Sequence, residues 1–374
     1  MDIPFAGSLL AWHVRQAAKR RPVRPLAELD LAQVRRVLLV LTTGIGDAIF
    51  SSAVFASVRQ AMPQAEIALF CRAGWRDLFA GDPNLDAVIP YPGKFRAFFR
   101  TLGALRRFGP DLAVVLHGND PDVIPLCYLA GSRFIVRIPT TGTRFGDLLS
   151  NRGRPEDAST VPGLHYVDNR VRILDTLGIP VLNRAPAMHL DPARGERMSA
   201  RLADYFKGRP YWALHVHAAD PYKTVPEPLA RELIGKALRA FPGHGLVLTG
   251  GPENRSALQA LVPPALAERV LVAAGEFSLA DTAACLAGAA AVVGPDTGVL
   301  HLAAALDRPV IGLYAPTQAA LVGPRAPSRL PVVLQKPLTC DPCLQKKCPH
   351  RPVKCMAQFA PDEVLATLAR SLSP

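Results

Sequence analysis

One stretch, Val292 to Thr317 (VVGPDTGVLHLAAALDRPVIGLYAPT), constrains the fold more than any other. It reads as strand, turn, helix, strand. Val292 and Val293 end a short apolar run, and Gly294 to Gly298 make a sharp turn. Leu300 to Leu306 have helical composition, and Pro309 to Tyr314 are again apolar and extended. Such a turn sits at the carboxyl end of a buried strand, where open α/β sheets place their ligands. Asp296 or Thr297 can cap the helix, and Gly298 lets a ligand approach the backbone. The helix start offers free N–H groups and about half a positive charge, which suits a diphosphate. His301 falls one turn into the helix, on the side facing the mouth of such a site. An ordinary capped turn followed by a structural histidine accounts for the same residues.

At 374 residues the chain is long enough for two domains, each with its own core. A hydrophobic content of 49% and a charged content of 20% are those of a globular protein. No apolar run reaches the roughly 18 residues of a membrane span. The N-terminus lacks the basic, apolar and small-residue order of a signal peptide, so the expected compartment is the cytoplasm. The formal charge of +12 calls for an anionic partner. Nucleic acid, an anionic membrane, a phosphorylated substrate and a nucleotide all satisfy it.

Residues 1–33 form a basic extension. Phe5, Leu9, Leu10, Trp12 and Val14 precede Arg15, Lys19, Arg20, Arg21 and Arg24. This pattern suits peripheral contact with an anionic inner membrane; a helix packed on the body suits it equally. From Val34 to about residue 180, strands alternate with helices, which predicts a doubly wound parallel sheet. The strands are Val34–Leu41, Glu66–Cys71, Val88–Pro90, Leu112–Leu116 and Arg133–Ile138. The Pro-bearing connector Gly178–Pro192 marks a domain boundary, and a second βαβ series occupies 193–337. Residues 338–374 carry a cysteine-rich loop and a last helix, expected to return to the N-terminal domain.

Several loops at strand ends carry chemistry. Thr43, Gly44 and Gly46 line the loop after the first strand, and Asp47 opens the helix beyond. The third glycine of a dinucleotide fingerprint is missing. Asp47 is either a helix cap or a general base with room above it. Lys223 lies beyond the strand ending His215-Val216-His217, where a cation can neutralise a phosphate or simply be solvated. Glu253 follows Gly250-Gly251 and can accept hydrogen bonds from ribose hydroxyls or favour a helix start.

Taken in order, these motifs resemble the family-9 glycosyltransferases, typified by the ADP-heptose:lipopolysaccharide heptosyltransferases. The resemblance runs through VLLVLTTGIGDAIFSSAVFASVRQAMPQAEI, GDPNLDAVIPY, the Lys223 loop, LTGGPEN and above all VVGPDTGVLHLAAALDRPVIGLYAPT, and it covers nearly all of 34–372. It implies the GT-B fold, two Rossmann-like domains facing across a cleft. The acceptor would belong to the N-terminal domain and the nucleotide-sugar to the C-terminal one. It also implies an inverting transfer of a sugar, heptose from ADP-heptose above all, to a hydroxyl of a lipid-linked or surface-glycan acceptor such as lipopolysaccharide core. Asp47 matches the base, Lys223 the lysine on the diphosphate, and Glu253 the acid near the ribose. Asp296, Thr297, Gly298 and His301 match the D-[ST]-G-x-x-H signature around the diphosphate and sugar. No catalytic metal or cofactor is expected, since Lys223 and the helix start can neutralise the leaving group. The chain departs from the pattern in HAADPYKTVP, which lacks the Trp-Pro common after the lysine, and in Pro295, where Asn is frequent. The first 33 residues lie outside the motifs that carry the resemblance.

Cys340, Cys343, Cys348 and Cys355 are spaced C-x2-C-x4-C-x6-C. Four thiolates so close can enclose a structural zinc or iron, with His350 as a substitute ligand; a loop of reduced thiols is the alternative. Two other functions compete. A sugar-nucleotide epimerase of the same architecture would need acids and a histidine set to take a proton from sugar carbon. A basic zinc-knuckle protein would bind nucleic acid, but this knuckle has no aromatic stacking surface, so nucleic acid is not an expected partner.

Overall fold

The computed structural model describes residues 3–138, 145–152 and 161–372. The chain divides into two compact units between Arg184 and Ala185.

The first unit holds α1 (Ile3–Arg20), β1 (Arg36–Leu41), α2 (Ile45–Ser51), α3 (Phe55–Ala61), β2 (Glu66–Arg72), α4 (Arg76–Phe79) and β3 (Ala87–Tyr91). It continues through α5 (Phe98–Phe108), β4 (Leu112–His117), α6 (Val123–Leu129), β5 (Phe134–Arg137) and α7 (Tyr166–Leu177). Its five strands are parallel in the order β3-β2-β1-β4-β5. Val37 to Leu41 are wholly buried, as expected of a central strand covered on both faces. The basic extension belongs to this unit. Val14 and Val23 enter the core beside Leu126 and Tyr128, and the Arg21 guanidinium donates to Tyr128 O at 2.7 Å. Packing thus accounts for the inner face of α1, while Trp12 is 62% exposed on the other side.

The second unit holds α8 (Pro192–Tyr205), β6 (Tyr211–His215), α9 (Glu227–Ala240), β7 (Gly245–Thr249), α10 (Arg255–Ala260), β8 (Val270–Val272) and α11 (Leu279–Ala287). It continues through β9 (Val292–Pro295), α12 (Gly298–Ala305), β10 (Val310–Tyr314), α13 (Ala319–Val322), β11 (Val332–Gln335) and α14 (Pro361–Leu372). Six parallel strands run β11-β10-β9-β6-β7-β8. The closing helix, expected to return to the N-terminal domain, packs on α9 of its own unit. Val364 and Leu368 are buried in the second unit's core with Leu233 and Ala237 of α9, because its apolar stripe fits that helix.

Among the elements not read from the sequence, two bear on the layout of the sheets. One is α7. Its first turn is capped by His165, whose Nδ1 accepts from Val167 N, and its end by Gly178 at φ 69°. The other is the edge strand β11, framed by Pro331 and Pro337.

Candidate active site

Each sheet reverses its strand order once, and the chemistry-bearing residues gather at those reversals. In the first unit the chain steps outward from β1 to β3 and then returns to the other side of β1 as β4. The loop after β1 therefore adjoins the end of β4, and Thr42 N–H donates to His117 O at 2.9 Å. Open α/β sheets bind ligands at such points.

Asp47 stands here, in the first turn of α2. Gly44, not Asp47, occupies the N-cap, and no side chain caps the helix, so capping is not the carboxylate's use. Instead Asp47 Oδ1 accepts from Arg170 Nη2 of α7 at 2.8 Å and lies 3.6 Å from His117 Nε2. Thr43 Oγ1 hydrogen-bonds the other ring nitrogen of His117. A Cβ at Gly44 would come within 3.3 Å of Asp47 Oδ2, so glycine keeps that oxygen uncrowded. Gly46 lies in the same first turn of α2. Burial, aided by the Arg170 charge and opposed by Asp47, pushes the His117 pKa down to about 4. Its imidazole is therefore neutral at physiological pH. Asp47, His117, Asn119, Arg137 and Arg170 line one cavity of about 410 Å³.

In the second unit the reversal falls between β6 and β9. Lys223 follows β6 and Asp296 follows β9, and Lys223 Nζ sits 3.0 Å from Asp296 Oδ2. His301 Nε2 lies 3.2 Å from Asp296 Oδ1, and the Tyr314 hydroxyl donates to the same oxygen at 3.5 Å. Asp296 and His301 are buried. Burial opposes the Asp296 charge, but His301 and Lys223 outweigh it and hold the pKa at about 2. Burial likewise opposes the Lys223 charge, and Asp296 overrides it so that the pKa rises. The two groups fix each other in the ionised state.

Asp296 does not cap α12, because its oxygens are taken by Lys223, His301 and Tyr314. Thr297 occupies the N-cap with no side-chain capping bond, and its Oγ1 is buried without a hydrogen-bond partner among the described residues. Gly298 is the first helical residue, and the first bonds into the helix run from Leu300 and His301 N–H to Thr297 O. The amides before them are left for another acceptor. Glu253 is set apart from this cluster. It is exposed in the turn Pro252–Asn254 after β7, its carboxylate folds back over Gly251, and the histidine it acts on is His217.

Cys340, Cys343, Cys348 and Cys355 line a single cavity of about 170 Å³ in the second unit, with His350 on the same wall. The donor set suits zinc or iron. Among the described residues, however, no three His, Cys, Asp or Glu side chains are arranged to hold a metal ion.

Sequence reading singled out Asp47 and the Asp296 turn but not Arg170, Arg137 or Asn119. His117-Gly118-Asn119 at the end of β4 was the available signal. Arg170 gave none, since it lies 123 residues from Asp47 on a helix with no motif.

Two doubly wound parallel α/β units in one chain are the fold of the GT-B class of glycosyltransferases. The family described as Glycosyltransferase family 9 (heptosyltransferase) matches residues 160–354, just over half of the chain. Lipopolysaccharide heptosyltransferase 1 of Pseudomonas aeruginosa is 28% identical over 328 residues, covering 85% of this chain and 89% of the relative. Among solved structures, a family-9 glycosyl transferase from Veillonella parvula superposes with TM-score 0.74 at 17% identity, covering 92% of this chain and 98% of the other. The E. coli ADP-heptose lps heptosyltransferase II gives TM-score 0.72 at 21% identity, covering 90% and 98%. The chain belongs to glycosyltransferase family 9.

Proposed function

We propose that this glycosyltransferase moves heptose from ADP-heptose to a hydroxyl of the lipopolysaccharide core, with inversion at the anomeric carbon. The observation that carries this reading is the Lys223–Asp296–His301 cluster beside the start of α12, in a chain whose relatives bear these names. The second unit holds the donor. Lys223 and the amides at Gly298 and Val299 neutralise the diphosphate, more strongly as it leaves. Asp296 and His301 hold Lys223 and the turn in place, and Glu253 lies on the ribose side.

In the first unit Asp47 is the general base, with Thr43, Gly44 and Gly46 forming the acceptor-side loop around it. As the acceptor oxygen attacks the anomeric carbon, its proton passes to Asp47 and the bond to the diphosphate oxygen breaks. Arg170 holds the carboxylate in place through its 2.8 Å hydrogen bond. Neutral His117 does not compete as an acid.

The test is direct. The purified chain is given ADP-heptose with and without a truncated lipopolysaccharide-core acceptor, and ADP release and glycan mass are followed. Acceptor-dependent ADP release supports the reading. An epimerase would alter the donor with no acceptor present, and a nucleic-acid binder would leave the donor intact.

The four thiols on one cavity support a structural metal knuckle, which adjoins the Lys223 loop through Lys346 Nζ, 3.5 Å from Asp220 Oδ1. One equivalent of zinc or iron in the purified protein, with a lower Tm after chelation, is the expected result. Among the described residues no helix is long and apolar enough to cross a membrane. Exposed Trp12, Arg15, Lys19 and Arg20 on the outer face of α1 support peripheral contact with an anionic membrane from the cytoplasmic side. Sedimentation with anionic vesicles tests this.

A further inference from the structure

Arg137 ends β5 and is 8% exposed. Its backbone is bound on both sides to Asn151, whose Oδ1 accepts from Arg137 N at 3.4 Å and whose Nδ2 donates to Arg137 O at 2.8 Å. Its guanidinium donates through Nη2 to Asn119 Oδ1 at 2.7 Å. Among the described residues no carboxylate pairs with it. Burial, and then the like charge of Arg170, lower its pKa.

Arg170 is the second guanidinium on the same cavity. Nη2 is engaged by Asp47, while Nε is buried with no partner among the described residues. His117 adds no charge, since burial and Arg170 keep it neutral down to about pH 4. Among the described residues, the cavity of about 410 Å³ thus holds two guanidiniums against one carboxylate. A buried charge without a counter-ion is expensive, and among the described residues Arg137 has the neutral Asn119 amide but no carboxylate opposite it. Arginine also presents a planar fork suited to carboxylate or phosphate.

We propose that Arg137 and Arg170 form a subsite for one carboxylate or phosphate group of the acceptor, held beside Asp47. This rests on the acceptor belonging to the first unit, as in the function proposed above. The ligand's negative charge completes the balance that the fold leaves open. Asn119 fixes the Arg137 fork, and the Asp47 contact fixes that of Arg170. An acceptor anchored in this way presents its neighbouring hydroxyl to Asp47 without drawing on the donor site.

The test pairs a protein change with a ligand change. Arg137→Met removes the charge at similar volume, and Arg137→Lys keeps the charge but loses the fork. For Arg137→Met the acceptor KM is expected to rise ten- to a hundredfold, with ADP affinity unchanged and Tm equal to or above that of the wild type. Arg137→Lys should fall between. Acceptors with the carboxylate esterified, or with the phosphate removed, identify the group: the relevant one loses the same factor on the wild type and nothing further on Arg137→Met.

A separate arm does not depend on transfer. Inorganic phosphate and acetate are titrated while the Arg Nε NMR signals are followed. Saturable shifts of Arg170 Nε in the wild type, absent in Arg137→Met, support the subsite even if the donor is another sugar. A lower Tm with unchanged acceptor KM would make Arg137 a structural residue. Equal losses for neutral acceptors on both proteins, or no response to either anion, would also overturn the subsite.

Discussion

Lys223 Nζ and Asp296 Oδ2 meet at 3.0 Å, joining the loop after β6 to the turn after β9 where the strand order reverses. The pair sits next to the first turn of α12, so it fixes a cation beside a helix start. Each partner stays ionised because of the other.

Lys223→Ala should weaken ADP binding by at least tenfold in calorimetry. It also leaves Asp296 buried with one charged contact fewer, a loss of about 1.5–3 kcal/mol for a hydrogen bond to a charged group. Unchanged ADP affinity would remove Lys223 from the donor site.

Asp47→Asn should lower kcat by about 10²–10⁴-fold, the usual worth of a general base, with ADP affinity preserved within a few-fold. Because Asp47 does not cap α2, any fall in Tm should come only from the charge lost opposite Arg170. A large drop in Tm with residual transfer would mean that Asp47 serves the fold and not the reaction.

The pH dependence has two separable parts. Asp296 is ionised down to about pH 2 in the folded chain, against roughly 3.9 when unfolded. Its stabilisation is complete above about pH 4 and fades as the pH falls toward 2, so Asp296→Asn should flatten that part of the Tm profile. His117 and His215 take up a proton only near pH 4 when folded, against about 6.5 when unfolded. Stability therefore declines as the pH drops from about 6.5 to 4. Nitrogen NMR should find the His117 imidazole neutral at pH 6, and a protonated ring there would refute the assignment.

Gly275→Ala tests the loop that carries Glu253. Gly275 has φ 74°, and its N–H donates to Gly250 O at 3.2 Å. A Cβ there would stand 2.8 Å from Pro252 Cα. Strain and collision act together, so a loss of about 1–3 kcal/mol is expected, or several degrees in Tm. ADP affinity should fall with it if Glu253 faces the ribose.

Much of this was legible in the residues. VRRVLLVL had to be a central strand, because only a position covered on both faces accepts such a run. VVGPDTGVLHLAAALDRPVIGLYAPT carried its strand, turn and helix in local chemistry alone. The capping choices were not legible. Asp296, Thr297 and Asp47 all have cap-forming side chains, yet none caps its helix: Asp296 and Asp47 have partners from distant elements, and Thr297 makes no capping bond. The fate of the last helix was also hidden, since an amphipathic stripe does not name its partner.

The sequence by itself determined two doubly wound α/β units and the position of a ligand turn in the second, because strand burial, glycine turns and helix starts are properties of neighbours in the chain. Only the tertiary structure decided which charges meet. Arg170 reaches Asp47 across 123 residues and Lys223 reaches Asp296 across 73, and the excess arginine at the end of β5 appears once β4, β5 and α7 share a cavity. Ionic pairing depends on distance in space, and parallel sheets bring strand ends together that the sequence keeps far apart.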